Sequence, residues 1–477
     1  MANLKDLEAI IPPTLLNATG VPSASIAILV DGKVSTHVIT SGKEDVDTIY
    51  QAASISKAIC SLGVAKLIDE GHFTYDTLIV DHLAKKTIDL MVDDRTRHLF
   101  DAVTVGMLVS HISGLTQHGF PGYDGDAPSA DTILAGEAPS NTPRVHFYTF
   151  PGAVFSYSGG GFTVLQLFLE TVLSKPFAQI MHDTVLAPLK MTRSHYGPLS
   201  PTEKNYANAY QTATVPAYTT HHIFPEQAAA GLWTTPSDLL KAIAAIQTSL
   251  SPSSNTAPFL SKQKAADLLT TVRSDVALSS SVARGFFTTA AGFGHSGGNA
   301  PGYITYFMGS WPDAKKGVVP NTGIAVMTNS VQGIPAVGSV LAAVLYLLGW
   351  EQPVALPSFT VAEKWMPYAL PRGLEEVDEK WREWQRDWEG GWKLSAGLDG
   401  MPVFSFGDLR PMVLRPAAAP VSILGEGRRE VVLVVDGLDT SLRLTWDESG
   451  EKVVKLLQGE EGGVKTLTRK EVKPSPE

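Results

Sequence analysis

Two serine-centred patterns in this chain could support nucleophilic chemistry. The first is Gly294-His295-Ser296-Gly297-Gly298, a G-x-S-x-G sequence of the kind that exposes a serine on a sharp strand-to-helix turn. Such a serine needs a histidine later in the chain as its base. His295 is the last histidine, and Ser296 is followed by Asn299-Ala300-Pro301-Gly302 and a strand-like run. Ser296 therefore lacks both its base and its helix. The second pattern is S-x-x-K, which occurs as Ser54/Lys57, Ser261/Lys264 and Ser449/Lys452. Three occurrences make the tetrapeptide uninformative alone, so context decides. Ser449 sits in a turn between alternating runs, Ser261 opens a polar stretch without a companion motif, and Ser54 alone is expected to begin a helix. Three helical residues return Lys57 to the face of Ser54. Burial and the helix N-terminus both favour a neutral lysine, which can take the serine proton.

Ala53-Ser54-Ile55-Ser56-Lys57, Phe155-Ser156-Tyr157-Ser158-Gly159-Gly160-Gly161-Phe162 and Gly294-His295-Ser296-Gly297-Gly298 together resemble the three motifs of the serine β-lactamase and penicillin-binding-protein-like enzymes. The similarity is to the class C β-lactamase relatives, with their D-aminopeptidases, esterases and acyltransferases. Two further stretches carry it: Leu108-Val109-Ser110-His111-Ile112-Ser113-Gly114-Leu115 and Ala229-Ala230-Gly231-Leu232-Trp233-Thr234-Thr235-Pro236-Ser237-Asp238. It spans roughly residues 8 to 350.

The resemblance implies Ser54 as the acylated nucleophile, Lys57 as base or relay, and Tyr157 with a lowered pKa, shuttling the proton to the leaving group. It implies an oxyanion hole from the backbone N–H groups of Ser54 and Gly298. His295 stands where many relatives carry lysine, and would donate to a substrate carbonyl or carboxylate. Gln117, Gly159 and Gly297 are implied as substrate contacts. Gly159 occupies the place of an asparagine in the β-lactamase pattern, which puts recognition of β-lactams and peptide amides in doubt. Glycines 159 to 161 would either widen the pocket or permit tight packing where a helix starts. His111 is expected to stabilise the fold. Ester and thioester substrates rank above amides, with acyl transfer or D-stereospecific peptidase action as alternatives and a non-catalytic binding protein that retains the fold ranked last.

The elements that position these residues follow from periodicity. Asp31-Gly32 between the apolar runs Ser25–Val30 and Val34–Ile39 predicts a hairpin. Ile55, Ala58, Ile59, Leu62, Ala65 and Ile68 recur at helical spacing, closed by Gly71. Helices are also expected at Phe162–Leu173, Ser237–Ser249 and Val337–Leu348, and strands at Gly302–Ser310 and Gly323–Thr328. Strands at both ends with helices between predict an α/β (α+β) sandwich with one antiparallel sheet and a helical subdomain. This catalytic part is expected to occupy residues 1–355. Trp381, Trp384 and Trp388 fit one face of a helix in a connector over 356–392. Alternating runs over 393–477 predict an all-β, barrel-like module, similar to the lipocalin-like domains of some relatives.

Composition limits the partners. There are 48 acidic against 38 basic residues, a net charge of −10 and a pI near 5.7, which argue against nucleic-acid binding. The single Cys60 excludes an intrachain disulfide. His221-His222 lacks companions at metal spacing, so no metal or other cofactor is expected. The stretch Ile334–Leu348 spans fifteen residues and contains Pro335, short of the roughly 20 a bilayer needs. No secretory leader is evident at Met-Ala-Asn-Leu-Lys-Asp-Leu-Glu. The expectation is a cytoplasmic enzyme acting on a small acyl metabolite, with secondary metabolism as its setting, in an oligomeric state the sequence leaves open.

Overall fold

The computed structural model describes Leu16, residues 20–350 except 253–256, 278–279, 314–317 and 349, and, beyond those, the backbone of the strands named below. β1 (Ser23–Val30) and β2 (Lys33–Thr40) form the expected hairpin. Asp31 and Gly32 take φ of 47° and 75°, the left-handed pair that a tight two-residue hairpin turn requires. β3 (Tyr50–Gln51), β4 (His195–Tyr196) and β5 (Leu232–Thr234) make a small separate sheet in the order β3-β5-β4. β6 (Arg273–Ala277), β7 (Ser280–Val282), β8 (Phe287–Thr288), β9 (Gly292–Asn299), β10 (Tyr303–Ser310) and β11 (Thr322–Thr328) complete an eight-stranded antiparallel sheet. Its order is β2-β1-β11-β10-β9-β8-β7-β6, so β1 pairs with β11 and closes the helical middle of the chain into one loop between strands.

The two faces of this sheet follow from strand alternation. Ala24, Ile26 and Ile28 of β1, with Ile324 and Val326 of β11, pack with Val337, Val340 and Leu341 of the helix Gly333–Leu347. Pro335 falls in that helix's first turn, where a missing N–H is tolerated. Ala27 and Leu29, with Phe307, Ala325 and Met327, face α1 (Ile55–Asp69) and α3 (Pro236–Leu250). α1 is buried nearly all round, as its continuous apolar sequence requires. α2 (Gly159–Leu173) begins three residues before the predicted Phe162, because Ser158 caps it by accepting the Gly161 N–H at 2.8 Å.

Further along, β12 (Val354–Leu356) and β13 (Phe359–Val361) form a hairpin. β14 (Arg386–Trp388), β15 (Trp392–Ala396), β16 (Pro402–Phe406), β17 (Met412–Pro416), β18 (Ser422–Ile423), β19 (Arg429–Val435), β20 (Thr440–Trp446), β21 (Lys452–Gln458) and β22 (Val464–Leu467) form an antiparallel meander. Among the described pairings the path stays open from β14 to β22, so the closure that a barrel needs is not seen. The predicted tryptophan-faced helix does not reach Trp388. That residue lies in β14 and pairs with Trp392 of β15, so strand pairing overrides the helical spacing there. Trp381 and Trp384 lie outside the described residues. Among the described residues no helix is long and apolar enough to cross a membrane.

Candidate active site

The chain turns sharply just ahead of α1. Ala53 holds φ of 52°, a left-handed conformation that strains a non-glycine residue and recurs at functional sites. Three bonds fix this turn: Ala52 N–H donates to Leu232 O at 2.8 Å, Thr305 Oγ1 donates to Ala52 O at 2.9 Å, and Ser56 Oγ donates to Ala53 O at 2.5 Å. Ser54 follows at the N-cap of α1, and its hydroxyl makes no capping bond. Instead Lys57 Nζ donates to Ser54 Oγ at 3.1 Å and to Ala229 O at 2.8 Å. Lys57 is 1% exposed. Burial lowers its pKa to about 7, with Cys60 and Glu226 pulling upward.

A helix start does not in fact distinguish Ser54, since Ser261 also caps a helix, Lys262–Leu269. What differs is the use of the groups. Ser261 Oγ donates to Asp69 and accepts the Lys264 N–H, while Lys264 Nζ pairs with Asp267 at a partly exposed site.

Tyr157 arrives on the extended segment before α2. Its ring stacks on buried His111 with centroids 4.3 Å apart and meets His118 at 4.7 Å. Lys57 Nζ lies 4.9 Å from the Tyr157 ring centre. His111 Nδ1 accepts the Ser158 N–H at 3.0 Å, so His111 holds the motif's backbone as well as its ring, in keeping with the expected structural role. The Tyr157 hydroxyl is buried and makes no hydrogen bond. Burial raises its pKa, opposed by the nearby Ser54 hydroxyl. That is opposite to the expected lowering, while burial brings the pKa of Lys57, not of Tyr157, near neutrality.

The third wall is β9. β8 reaches only Phe293 and Gly294, so residues 295–299 lack a strand neighbour on that side. Gly297 is required here, because a Cβ would stand 2.5 Å from Ala52 O and 2.9 Å from Ala53 Cβ. The glycine thus lets β9 close on the turn that carries Ser54, with Gly298 beside it. His295 is 2% exposed, and burial lowers its pKa to about 3, helped by Lys57 and opposed by the Ser296 backbone. Its Nδ1 donates to Ser296 O at 2.5 Å. A neutral ring that donates from Nδ1 leaves Nε2 as an acceptor. In this tautomer Nε2 carries no proton for the expected donation to a substrate, and it is itself buried without a hydrogen-bond partner.

Ser54, Lys57, Tyr157, His295, Gly297 and Gly298 line one cavity of about 430 Å³, together with His118, Gly119, Phe120, Phe155, Phe287, Ser296 and Asn299. Ser296 is on a strand, not an elbow, but shares the cavity. Two expected contacts lie elsewhere. Gln117 (φ 71°) folds its side-chain amide back onto Gly119 O, and its carbonyl accepts the N–H groups of Gly159 and Gly160 at 2.7 and 3.0 Å. Gly159 is buried beneath the same loop: a Cβ there would stand 2.8 Å from the Phe120 ring. The glycine permits tight packing, and Phe120 takes the cavity wall.

Sequence reasoning passed over His118, Phe120, Phe155, Phe287, Asn299 and Glu226. His118 and Phe120 closely follow Gln117, an expected substrate contact, and Asn299 shares strand phase with His295 and Gly297. Glu226 had no signal beyond its place three residues ahead of Ala229. It is fully buried, and neither carboxyl oxygen is hydrogen-bonded. His222 is spent on Pro121 O and Tyr218 Oη, both at 2.7 Å. Among the described residues no cluster of three or more His, Cys, Asp or Glu is placed to hold a metal.

Residues 10–347 match the family described as Beta-lactamase. Penicillin-binding protein 4 of Amycolatopsis lactamdurans is 26% identical over 188 residues, 36% of this chain and 44% of that protein, so the match spans less than half of its length. The octameric penicillin-binding protein homologue from Pyrococcus abyssi superposes with a TM-score of 0.60 at 19% identity, covering 98% of this chain and all of that one. The D-amino acid amidase from Ochrobactrum anthropi SV3 gives 0.52 at 17% identity, over 69% of this chain and 93% of that one. At these identities the two structures speak to the fold.

Proposed function

The chain belongs to the Beta-lactamase family, and from that membership we propose that it is a serine hydrolase working through a Ser54 acyl-enzyme on ester, thioester or related small acyl substrates. The observation that carries this reading is Lys57, buried, drawn to a pKa of about 7, and hydrogen-bonded to Ser54 Oγ at 3.1 Å. A lysine neutral at physiological pH and in contact with the hydroxyl is a competent base.

In the proposed acylation, Ser54 Oγ attacks the acyl carbon as its proton passes to Lys57 Nζ. The carbonyl oxygen takes the electron pair and is met by the backbone N–H groups of Ser54 and Gly298. The tetrahedral adduct then collapses. The bond to the leaving group breaks, and that group takes a proton from Lys57, relayed by the Tyr157 hydroxyl. Water repeats the sequence to release the acid. Lys57 is regenerated neutral, so the cycle closes without a net proton in the site.

Two features favour a neutral ester-type substrate. Among the described residues the cavity wall carries aromatic rings but no arginine, aspartate or glutamate, so nothing there pairs with a substrate carboxylate except Lys57 itself. The position of the asparagine in the β-lactamase pattern is a glycine with no room for a side chain. Acyl transfer and cleavage of D-amino acid amides share the first half-reaction, and product analysis with added alcohol or amine separates them. Replacing Ser54 with Ala and following p-nitrophenyl ester turnover tests the reading. Turnover is expected to fall to background, and undiminished turnover overturns it. A binding protein that merely keeps the fold would form no covalent adduct at Ser54.

A further inference from the structure

The reaction scheme leaves one buried ionisable group unused. Glu226 is 0% exposed and neither carboxyl oxygen makes a hydrogen bond. Buried carboxyl groups ordinarily collect donors, so one held without any calls for a reason. Its place in the fold supplies one. Glu226 O accepts the N–H groups of Ala229 and Ala230, both at 3.0 Å, and so starts the turn Gln227–Ala230. Ala229 O in that turn is the acceptor that holds Lys57 Nζ at 2.8 Å. One turn therefore carries both the lysine's backbone anchor and an unpaired carboxyl.

The other ionisable groups around Lys57 supply no negative charge. Cys60 on α1 and Tyr157 before α2 are pushed upward by burial and stay neutral. His111, His118 and His295, on the facing loops and β9, are lowered by burial and by Lys57, and stay neutral too. Cys60 and Glu226 are the groups whose negative charge would draw Lys57 upward; the buried Cys60 thiol keeps its proton, while burial raises Glu226 only to about 7, with Lys57 drawing it back down, so its carboxylate form is available near neutrality.

We propose that Glu226 is a positioning residue for acylation, its carboxylate serving as the buried counter-charge for the ammonium that Lys57 becomes on taking the Ser54 proton. The inference rests on the Ser54–Lys57 reading. In the step concerned, the Ser54 O–H bond breaks, the proton goes to Lys57 Nζ, and the Oγ–acyl bond forms as the carbonyl pair moves to oxygen. No proton goes to Glu226. An ammonium created away from water is stabilised far more by a fixed opposite charge than it would be in solvent.

The test is the rate at which the full chain is labelled by a fluorescent fluorophosphonate across about pH 5 to 9. Unaltered protein is compared with Glu226→Gln, Glu226→Met and Glu226→Asp, each checked for folding by its thermal transition. Met replaces the unpaired carboxyl by an apolar side chain of similar size, so a folded uncharged variant is secured even if the amide is not accommodated. Loss of the carboxylate is expected to lower the midpoint of the labelling profile by about one pH unit and the plateau rate by about tenfold. The aspartate variant keeps the midpoint. An unshifted midpoint and rate in a folded uncharged variant overturn the proposal, as does an aspartate variant that loses as much as glutamine. No label on Ser54 in the unaltered chain overturns the serine reading together with it.

Discussion

Lys57 Nζ stands 3.1 Å from Ser54 Oγ at the end of a side chain that is 1% exposed. In the proposed reading the contact lets the lysine serve as the serine's base, and the burial makes it available without a proton. Both follow from one helix: α1 brings positions 54 and 57 to one face, while its apolar surroundings strip water from the lysine.

This arrangement carries a stability cost with a defined pH window. The Lys57 pKa is about 7 in the folded chain against 10.5 in the unfolded one. Between those values the unfolded chain binds the extra proton, so stability rises with pH across the window, and below it the cost is fully present. Lys57→Met is expected to lose ester turnover while its thermal midpoint exceeds that of the unaltered chain at pH 6 to 7, on the order of a few degrees. The advantage should shrink toward pH 10. A thermal midpoint lowered equally at every pH contradicts this.

In the proposed mechanism Tyr157, its pKa raised by burial, contributes a donated hydrogen bond rather than a phenolate base. Tyr157→Phe is expected to lower kcat by about a hundredfold, leaving the limb of the pH–rate profile near 7 where Lys57 puts it. A limb that disappears in the phenylalanine variant would assign the base to Tyr157 instead.

The contact between Gly159 and Phe120 makes a paired prediction. Gly159→Asn forces its Cβ to within 2.8 Å of the Phe120 ring and is expected to destabilise the chain. Phe120→Ala relieves that clash. The double variant should recover part of the lost stability, the approach to His118 O at 3.1 Å remaining, and gain amide or penicillin reactivity relative to ester turnover, read as the ratio of kcat/KM values. An unchanged ratio would detach Gly159 from substrate choice.

His295 presents an acceptor, because Nδ1–H is spent on Ser296 O. Acyl substrates with a hydroxyl or amino donor near the carbonyl are expected to outperform matched carboxylates, and His295→Leu to erase the difference. With its pKa lowered to about 3, His295 contributes no inflection between pH 5 and 8. A His295→Leu profile that loses an inflection in that range contradicts the assignment.

How much of this was legible in the sequence depends on the range of the interaction. Asp31-Gly32, the α1 periodicity and the Ser54/Lys57 pair are local, and all three are found where predicted. The failures are tertiary. Gln117 is the expected contact, but a left-handed backbone turns its side chain away, and the neighbouring His118 and Phe120 line the cavity instead. The tyrosine pKa was misjudged because burial, invisible in the motif, outweighs its neighbours. Glu226 reaches Lys57 only through the turn that follows it, across 169 positions of chain. At Trp388 strand pairing with Trp392 defeated a helical spacing.

The central claim is that Ser54 carries the acyl group. The direct measurement is mass spectrometry of the chain quenched during turnover of a p-nitrophenyl ester, with the adduct mapped to its peptide. The account predicts an acyl mass increment on the peptide containing Ser54, absent in Ser54→Ala. An increment on the peptide containing Ser296, or turnover with no adduct and full activity in Ser54→Ala, would contradict it.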